Sequence, residues 1–284
     1  MRNFLRNAKR YVKHMLYHYL YRTSIKAHWY QYDHNFGDIL NPLFIHMLSG
    51  KNVIWIDAKL YRYKNYIVIG SILDRVNKYS TVWGSGFISK DSECPEKPSK
   101  ICAVRGPLTR QKLLKSGIEC PEIYGDPALL LPQIYEPKTQ KKYKLGIIAH
   151  YIDKDNAWLK EIKDPNILLL DIQSKNPFDF VDQIYSCEKI ASSSLHGIIV
   201  ADAYSIPSLW LEFSDKVVGK GFKFHDYFLS VNRADIKPII IKKETSIDDL
   251  LGSFFKYKID IDLNKLIDSC PFELVKSLSQ KNIK

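Results

Sequence analysis

The chain has 284 residues, of which 45% are hydrophobic and 13% aromatic, and it carries a formal net charge of +11 at neutral pH. The composition excludes a disordered chain, and the length is typical of two domains of ordinary size. The positive charge indicates a basic surface that faces an acidic partner, which can be nucleic acid, a membrane leaflet or a phosphorylated metabolite.

Residues 1–27 are predicted to form an amphipathic helix. The helix is basic, because no acidic residue precedes Asp33. One side of the predicted helix is apolar and consists of Leu5, Ala8, Val12, Met15, Leu16 and Tyr19. A helix of this kind can lie on an anionic membrane surface, or it can pack its apolar side against its own domain. The sequence leaves both alternatives open, since the basic side is free in either case.

Residues 28–135 predict a Rossmann-like domain in which short strands alternate with helices. An aromatic strand from His28 is followed by Asn35, Gly37 and Asp38, and then by an apolar helix. Asn35 and Asp38 are good residues for opening a helix, but the carboxyl end of a first strand is also where open α/β sheets bind ligands. Further strands are predicted at residues 53–56, 66–70 and 81–84, and from residue 100.

Turns in this domain carry candidate binding residues. Gly84, Ser85 and Gly86 follow a strand in a turn that can admit a phosphate or carboxylate, although the glycine spacing is a weak fingerprint. Arg105 follows the next strand, where its guanidinium is placed to bind a carboxylate or phosphate through two hydrogen bonds. Asp126 lies in a later turn and is a candidate base or orienting residue, or a plain turn residue.

A linker is predicted between residues 132 and 144, and residues 143–235 predict a second Rossmann-like domain. Its strands are expected at residues 145–149, 167–171, 189–192 and 208–211, with a helix near residues 177–186 and another after His196. A loop of glycines and lysines at residues 216–223 contains Lys220 and Lys223 and is expected to face an anion. Residues 245–284 are expected to form helices that pack back on the first domain.

The segment from Ala191 to Leu211 carries the strongest functional signal. Three serines at 192–194 end a strand, and the helix that follows has His196 and Gly197 in its first turn. The free N–H groups and positive dipole end of such a helix favour an anion, and an imidazole beside that anion can donate or accept a proton near neutral pH. The alternative is that the serines only cap the helix and that His196 is a packing residue.

Several classes of protein are disfavoured by what the sequence lacks. The five cysteines form no C-x-x-C pair, which argues against a disulfide framework and a zinc site and favours a reducing compartment. No cluster has metal-ligand spacing, so no metal and no cofactor are expected. No segment reaches the roughly 18 apolar residues of a membrane span, and the N-terminus lacks a signal-peptide core. The basic residues are spread along the chain without a recognised nucleic-acid-binding motif.

The ordered set of turns resembles the polysaccharide pyruvyl transferase family. The matching segments cover roughly residues 28–212 and are Asn35-Phe36-Gly37-Asp38, Trp83-Gly84-Ser85-Gly86, Val104-Arg105-Gly106-Pro107-Leu108-Thr109, Gly125-Asp126-Pro127-Ala128, Leu195-His196-Gly197 and Ile206-Pro207. The resemblance implies an α/β fold of two Rossmann-like domains in a GT-B-like arrangement, with the active site in the interdomain cleft. It also implies transfer of pyruvate from phosphoenolpyruvate to two hydroxyls of a sugar, with a cyclic ketal and phosphate as products.

By the same resemblance, His196 is the acid and Arg105 holds the donor. Many members of the family have an arginine two residues before the histidine, where this chain has Ser194. Either Lys220 or Lys223 holds the donor instead, or the chain belongs to a branch of the family that dispenses with this cation. Asp38 and Asp126 are candidate bases, between which the sequence does not choose. The residues predicted to bind substrate are Asn35, Gly84, Ser85, Gly86, Arg105, Ser193, Ser194, Gly197 and Lys220.

The sequence thus predicts a cytoplasmic, membrane-associated ketal pyruvyltransferase that acts on a lipid-linked sugar during assembly of a cell-surface polysaccharide. One alternative is a GT-B-type glycosyltransferase that uses a nucleotide sugar, although no acidic residue placed for ribose or uracil is identified. The other alternative is a catalytically silent binding protein for acidic glycans or nucleic acid.

Overall fold

The computed structural model describes residues 2–33, 35–233 and 236–279 of the chain. Residues 234, 235 and 280–284, which fall at the ends of two predicted domain ranges, lie outside the described residues. The described strands form two parallel sheets of five strands each. The predicted α/β fold with two parallel-sheet units is therefore confirmed.

The first sheet is built by the N-terminal half of the chain. Its strands are β1 Ile25–His28, β2 Val53–Trp55, β3 Asn65–Ile67, β4 Ser80–Trp83 and β5 Lys100–Ala103. Their order across the sheet is β2-β1-β3-β4-β5, and every pairing is parallel. The helices of this half are α1 Arg2–Leu20, α2 Phe36–Ser49, α3 Pro107–Lys115 and α4 Leu131–Ile134.

The second sheet is built by the C-terminal half. Its strands are β6 Leu145–Ala149, β7 Ile167–Asp171, β8 Ile190–Ser192, β9 Ser208–Glu212 and β10 Ile239–Ile240, in the order β10-β9-β8-β6-β7. The remaining helices are α5 Ala157–Glu161, α6 Pro177–Tyr185, α7 Leu195–Ala203, α8 Phe222–Ser230, α9 Ile247–Gly252, α10 Leu263–Asp268 and α11 Lys276–Ser279. All residues of β6 and β8 are buried, which explains why these strands are continuous apolar runs in the sequence.

The first strand begins earlier than predicted. β1 starts at Ile25, inside the segment assigned to the N-terminal helix, and pairs with Val53 of β2. The predicted start at His28 was wrong because Lys26 interrupts the apolar pattern. Lys26 is nevertheless buried, since its ammonium donates hydrogen bonds to the carbonyl oxygens of Tyr21 and Ser24.

The loop predicted at residues 216–223 ends in a helix that the sequence analysis missed. α8 begins at Phe222, immediately after Gly221 in a left-handed conformation with φ 79°. Three of its aromatic residues, Phe224, Tyr227 and Phe228, belong to the main core. The helix therefore fixes the position of Lys223, which lies in its first turn.

The C-terminal segment contacts both halves of the molecule. Residues 245–254 lie against the second sheet, where Leu250 joins its core and the Trp158 indole donates to the carbonyl of Thr245 at 2.7 Å. The segment from α10 onward packs on the first half, where the Trp83 indole donates to the carbonyl of Leu266 at 3.0 Å. From α10 onward the chain therefore packs as expected for residues 245–284, whereas α9 lies against the second sheet.

The two halves share one hydrophobic core, and this junction positions the candidate site. The rings of Phe36 in α2 and Phe180 in α6 have centroids 4.7 Å apart. The backbone N–H of Phe36 donates to the carbonyl of Ile172 at 2.9 Å, and the Gln173 amide donates to the carbonyl of Asp33 at 2.6 Å. The first turn of α2 is thereby held against the second half, close to the start of α7.

Candidate active site

The start of α7 is shaped by the three serines that precede it. The Ser192 hydroxyl donates to the carbonyl of Ser194 at 2.8 Å and accepts from the N–H of Ser194 at 3.0 Å, which closes a tight turn after β8. Ser193 accepts a hydrogen bond from the N–H of His150 at 2.8 Å and so ties this turn to the end of β6. Ser194 is the N-cap residue, but its side chain makes no capping hydrogen bond. The alternative in which Ser194 only caps the helix is therefore not supported.

A cavity of about 320 Å³ lies where the two halves meet. Asn35 and Asp38 line it from the first half, and Ser194 and His196 line it from α7. Other polar residues of its wall are Tyr30, Asp33, Ser71, Asp74, Arg75, His150, Tyr151 and Lys223. Four of the residues predicted from the sequence, Asn35, Asp38, Ser194 and His196, are thus brought together around one space.

His196 is fixed in this wall by a glycine and a carboxylate. A Cβ atom on Gly37 would lie 2.1 Å from His196 Cε1, so only glycine leaves room for the imidazole at this position. On its other side, His196 Nε2 is 3.6 Å from Asp126 Oδ2, and neither atom has a hydrogen-bond partner among the described residues. Asp126 Oδ1 accepts from the N–H of Ala128 at 3.0 Å. Asp126 therefore lies behind the histidine and not in the cavity wall, a position that suits an orienting residue.

Asp38 and Lys223 are both ionisable groups whose pKa values are shifted toward neutral pH. Burial raises the pKa of Asp38 to about 7, although the nearby charges of His196 and Lys223 and the N–H of Tyr30 oppose this shift. Burial lowers the pKa of Lys223 to about 8, and the positive charge of Arg105 adds to this shift while Asp38 opposes it. Perturbed pairs of this kind in a cleft are typical of functional sites.

His150 follows β6 and faces the same cavity. Burial, together with the charge of Lys223, lowers the pKa of its imidazole to about 3. His150 is therefore neutral at physiological pH, and Lys223 carries most of its positive charge. These three groups give the cavity wall a lysine cation, a neutral imidazole and a carboxyl group that titrates near neutrality. The wall also contains Asp33 and the ion pair of Arg75 with Asp74, whose charged atoms are 3.0 Å apart.

Arg105 does not line the cavity. Its side chain is fully buried, with Nη2 and Nε at 3.0 and 3.1 Å from Asp226 Oδ2. It also donates to the carbonyl of Phe87 at 2.6 Å and to the hydroxyl of Ser71 at 2.5 Å. These partners take up most of the guanidinium N–H groups, so the direct donor contact that the resemblance implies for Arg105 stays a prediction. Ser71 does line the cavity, so Arg105 supports the wall from behind.

The predicted glycine turn also lies behind the wall. A Cβ on Gly84, which has φ 85°, would lie 2.2 Å from Pro127, and a Cβ on Gly86 would lie 2.6 Å from the Arg105 guanidinium. The Ser85 hydroxyl is buried and donates to the carbonyl of Gly70 at 2.8 Å. These three residues therefore serve close packing in the structure.

Of the remaining predicted binding residues, Gly197 serves close packing, whereas Ser193 and Lys220 line a second cavity. Gly197 lies against the Ser192 hydroxyl, 2.4 Å from where its Cβ would be, and so permits the tight turn before α7. Lys220 is exposed and lines a different cavity of about 290 Å³, beside Ser193 and Trp210. Of the two lysines left open by the sequence, only Lys223 lines the cavity that contains His196.

Some residues of the site were missed by sequence reasoning. His150 follows a predicted strand directly, a position that marks it as a candidate, but no feature of the sequence pairs it with His196. Asp226, the partner of Arg105, lies 121 residues further along the chain in the helix that was not predicted. No group of three or more metal-ligating side chains is found among residues 2–33, 35–233 and 236–279.

Comparisons with known proteins agree with these motifs. Residues 4–215 match the family described as polysaccharide pyruvyl transferase. The chain is 31% identical over 273 residues to the uncharacterized protein L143 of Acanthamoeba polyphaga mimivirus, covering 91% of this chain and 93% of that protein. It is 29% identical over 214 residues to the succinoglycan biosynthesis protein ExoV of Rhizobium meliloti, covering 72% of this chain and 64% of that protein. Because the family match spans well over half of its residues, the chain belongs to the polysaccharide pyruvyl transferase family and is a pyruvyl-transferring enzyme.

Proposed function

We propose that the enzyme transfers pyruvate from phosphoenolpyruvate to two hydroxyls of one sugar, and that it releases phosphate and leaves a cyclic ketal. The acceptor is a sugar of a cell-surface polysaccharide, such as a capsule or exopolysaccharide, or of its lipid-linked precursor in the cytoplasm. The two sheet units form a GT-B-like pair in this proposal, and the cavity at their junction is its active-site cleft. The observation that carries the proposal is that His196, Lys223 and the start of α7 surround one cavity.

The donor is an anion with a phosphate and a carboxylate, and the cavity offers partners for both. The N–H groups at the start of α7 have no side-chain cap, and the positive end of the helix dipole favours an anion there. Lys223 supplies a cation, and no ion pair with a carboxylate is found for it in the described ranges. Lys223 thus takes the place of the arginine that many family members have at the position of Ser194.

The first chemical step is protonation of the methylene carbon of phosphoenolpyruvate by His196. A new C–H bond forms as the carbon–carbon double bond is lost, and the neighbouring carbon becomes electrophilic. A sugar hydroxyl attacks that carbon and gives its proton to a base. Asp38 is suited to this role because it lines the cavity and its pKa of about 7 lies near the operating pH.

The second step exchanges phosphate for the other hydroxyl. The carbon–oxygen bond to phosphate breaks, and the second sugar hydroxyl attacks the same carbon to close the ketal ring. Of the two hydroxyl protons, one replaces the proton that His196 gave to the methyl carbon, and the other leaves with phosphate. Asp126 acts through His196, because its carboxylate at 3.6 Å orients the imidazole ring.

Thermal unfolding with added ligands tests the proposal without knowledge of the acceptor. Phosphoenolpyruvate at about 100 times its dissociation constant is expected to stabilise the protein by roughly 2.7 kcal/mol. Uridine, guanosine and cytidine nucleotides are expected to have no effect. Stabilisation by a nucleotide alone would contradict the proposal and favour a glycosyltransferase. Phosphate release with a panel of oligosaccharides, followed by mass spectrometry of the product, then identifies the acceptor.

A further inference from the structure

α1 is held on the first half of the molecule by one polar face. His14 is almost fully buried, and its Nε2 accepts from the N–H of Asp57 at 3.3 Å. His18 stacks on Tyr63 with ring centroids 3.8 Å apart, and Arg10 forms an ion pair with Asp57 at 3.4 Å. Residues four apart lie on one side of a helix, so Arg10, His14 and His18 define a single docked face.

The apolar side of α1 points away from the protein. The exposed fractions of Val12, Met15, Leu16 and Tyr19 lie between 37% and 66%, and Ala8 is exposed as well. At about 100° per residue, these five side chains form a stripe roughly opposite the docked face. The sequence alternative in which this side packs against its own domain is therefore wrong for the described side chains. The side chain of Leu5 lies outside them.

Exposed basic residues flank this stripe. Arg6, Lys9 and Lys13 are exposed and border the apolar side chains on one side of the helix. Of the cations of α1 from Arg6 onward, only Arg10 forms an ion pair with a carboxylate of the described residues, and the helix itself contains no acidic residue. Lysine and arginine in this position can reach lipid headgroups while the neighbouring apolar side chains enter the bilayer interface.

We propose that α1 docks the enzyme on an anionic phospholipid surface, with the stripe Ala8, Val12, Met15, Leu16 and Tyr19 inserted at the headgroup boundary. Monomeric soluble proteins rarely expose a contiguous apolar surface of this kind without a partner. An anionic bilayer matches both features of the helix at once, since it accepts apolar side chains along a line and attracts the basic flank. No described helix is long and apolar enough to cross a membrane, so the association is peripheral.

The docked face also relates the helix to the active-site cavity. Arg10 and His14 contact Asp57, which lies just beyond the carboxyl end of β2. The middle of α1 therefore lies toward the carboxyl edge of the first sheet. The cavity is built on the same edge, from Asp38 after β1 and Gly70 after β3. Docking through α1 would hold this edge near a lipid-linked acceptor, although the docking itself does not depend on the proposed reaction.

Vesicle flotation of the full chain tests the docking surface. The protein is expected to bind vesicles in which about one-third of the phosphatidylcholine is replaced by phosphatidylglycerol, and to be released at about 1 M salt, where the Debye length falls to about 3 Å. The Val12→Gln, Leu16→Gln double variant keeps good helix formers and is expected to bind at least about tenfold more weakly. The Lys9→Gln, Lys13→Gln variant is expected to lose about tenfold on anionic vesicles only.

Matched substitutions elsewhere serve as controls. Leu114 and Leu229 are exposed leucines on α3 and α8, and Lys160 and Lys163 are exposed lysines in the second half. Their changes to Gln are expected to leave vesicle binding unaltered, and unfolding temperatures show that every variant is folded. Equal vesicle binding by wild type and the Val12→Gln, Leu16→Gln variant would overturn the proposal. So would wild-type protein that ignores anionic vesicles but dimerises through α1 in sedimentation equilibrium. Stabilisation by phosphoenolpyruvate is unaffected by any of these outcomes.

Discussion

Two clusters of polar side chains lie close to the junction of the two halves, one fully buried and one partly buried, and they differ in how completely they are hydrogen-bonded. In the closed cluster, formed by Arg105, Thr109 and Asp226, the carboxylate oxygens of Asp226 accept from the guanidinium of Arg105 and from both the N–H and the hydroxyl of Thr109, at 2.6 to 3.1 Å. In the open cluster, formed by Asn35, Asp38, Asp126, His196 and Lys223, three buried polar atoms have no hydrogen-bond partner among the described residues.

This difference distinguishes side chains that stabilise the fold from side chains that form the candidate active site. Buried polar atoms in folded proteins are nearly always hydrogen-bonded, so an unpartnered group calls for an explanation. The unpartnered atoms are Asn35 Oδ1, Asp126 Oδ2 and His196 Nε2, all at or just behind the cavity wall. Hydrogen bonds in unliganded active sites are often long and shorten when substrate binds. We infer that the closed cluster holds α3 against α8, and that the open cluster is completed by the donor.

The largest expected effect is on stability and comes from the closed cluster. Asp226→Ala leaves the guanidinium of Arg105 buried without its carboxylate, which costs about 3–5 kcal/mol when a buried pair is broken. Urea unfolding of this variant and of Asp155→Ala, an exposed aspartate used as control, measures the loss. A loss below about 1 kcal/mol for Asp226→Ala would mean that the closed cluster is not part of the scaffold.

The next effect is on turnover and comes from the open cluster. His196→Ala is expected to reduce turnover at least about 100-fold, the lower range for loss of a positioned acid. Its stability should fall less than that of Asp226→Ala, because the imidazole Nε2 makes no hydrogen bond and contacts Asp126 only at 3.6 Å. Phosphate release is the readout, and His46→Ala, an exposed histidine on α2, is the control. Turnover of His196→Ala near the wild-type value would remove His196 from the reaction.

A smaller effect is expected for Asp38→Asn, which should raise the stability of the protein and lower its activity. The pKa of Asp38 is raised to about 7 in the folded protein from an unfolded value near 4, so the folded state binds more protons between these values. The stability cost of ionising Asp38 is therefore absent below about pH 4 and fully present above about pH 7. Asp38→Asn is expected to raise stability by roughly 1 kcal/mol at pH 8, since part of the shift is screened by solvent. The gain disappears at low pH.

The Asp38→Asn variant also tests whether Asp38 is the base that accepts the proton of the sugar hydroxyl. Asp38→Asn is expected to lower turnover at least about tenfold while phosphoenolpyruvate still binds, because an amide accepts no proton from the sugar hydroxyl. Denaturant unfolding at several pH values and phosphate release at pH 7 measure the two effects. A variant that is less stable than wild type at pH 8, or fully active, would contradict the assignment of Asp38.

The sequence predicts much of the fold because parallel strands buried on both faces appear as short apolar runs between turns. β6, β7 and the helix α6 lie at or within a residue of their predicted bounds. The start of β1 and the helix α8 were not predicted, and each of these errors has a local cause. Lys26 hides the start of β1 because its charge is satisfied by nearby carbonyls, and the aromatic run of α8 follows a loop rich in glycine and lysine.

The candidate site could be predicted only in part. Asn35, Asp38, Ser194 and His196 follow strand ends, and the carboxyl edge of a parallel sheet brings such residues together. Contacts between distant segments could not be predicted, since the pairing of Arg105 with Asp226 and the approach of His196 to Gly37 depend on how the two halves pack. For the same reason the sequence did not choose between Lys220 and Lys223.

Calorimetric titration of phosphoenolpyruvate into wild type, Lys223→Gln and Lys220→Gln tests most directly whether the open cluster is the donor site. The two lysines lie three residues apart, but only Lys223 lines the cavity with His196. Lys223→Gln is expected to weaken binding at least about tenfold, and Lys220→Gln by less than about twofold. Because the pKa of Lys223 is about 8, wild-type affinity should fall as pH rises above this value, and Lys223→Gln should lose that dependence. Equal affinities of wild type and Lys223→Gln would contradict the account.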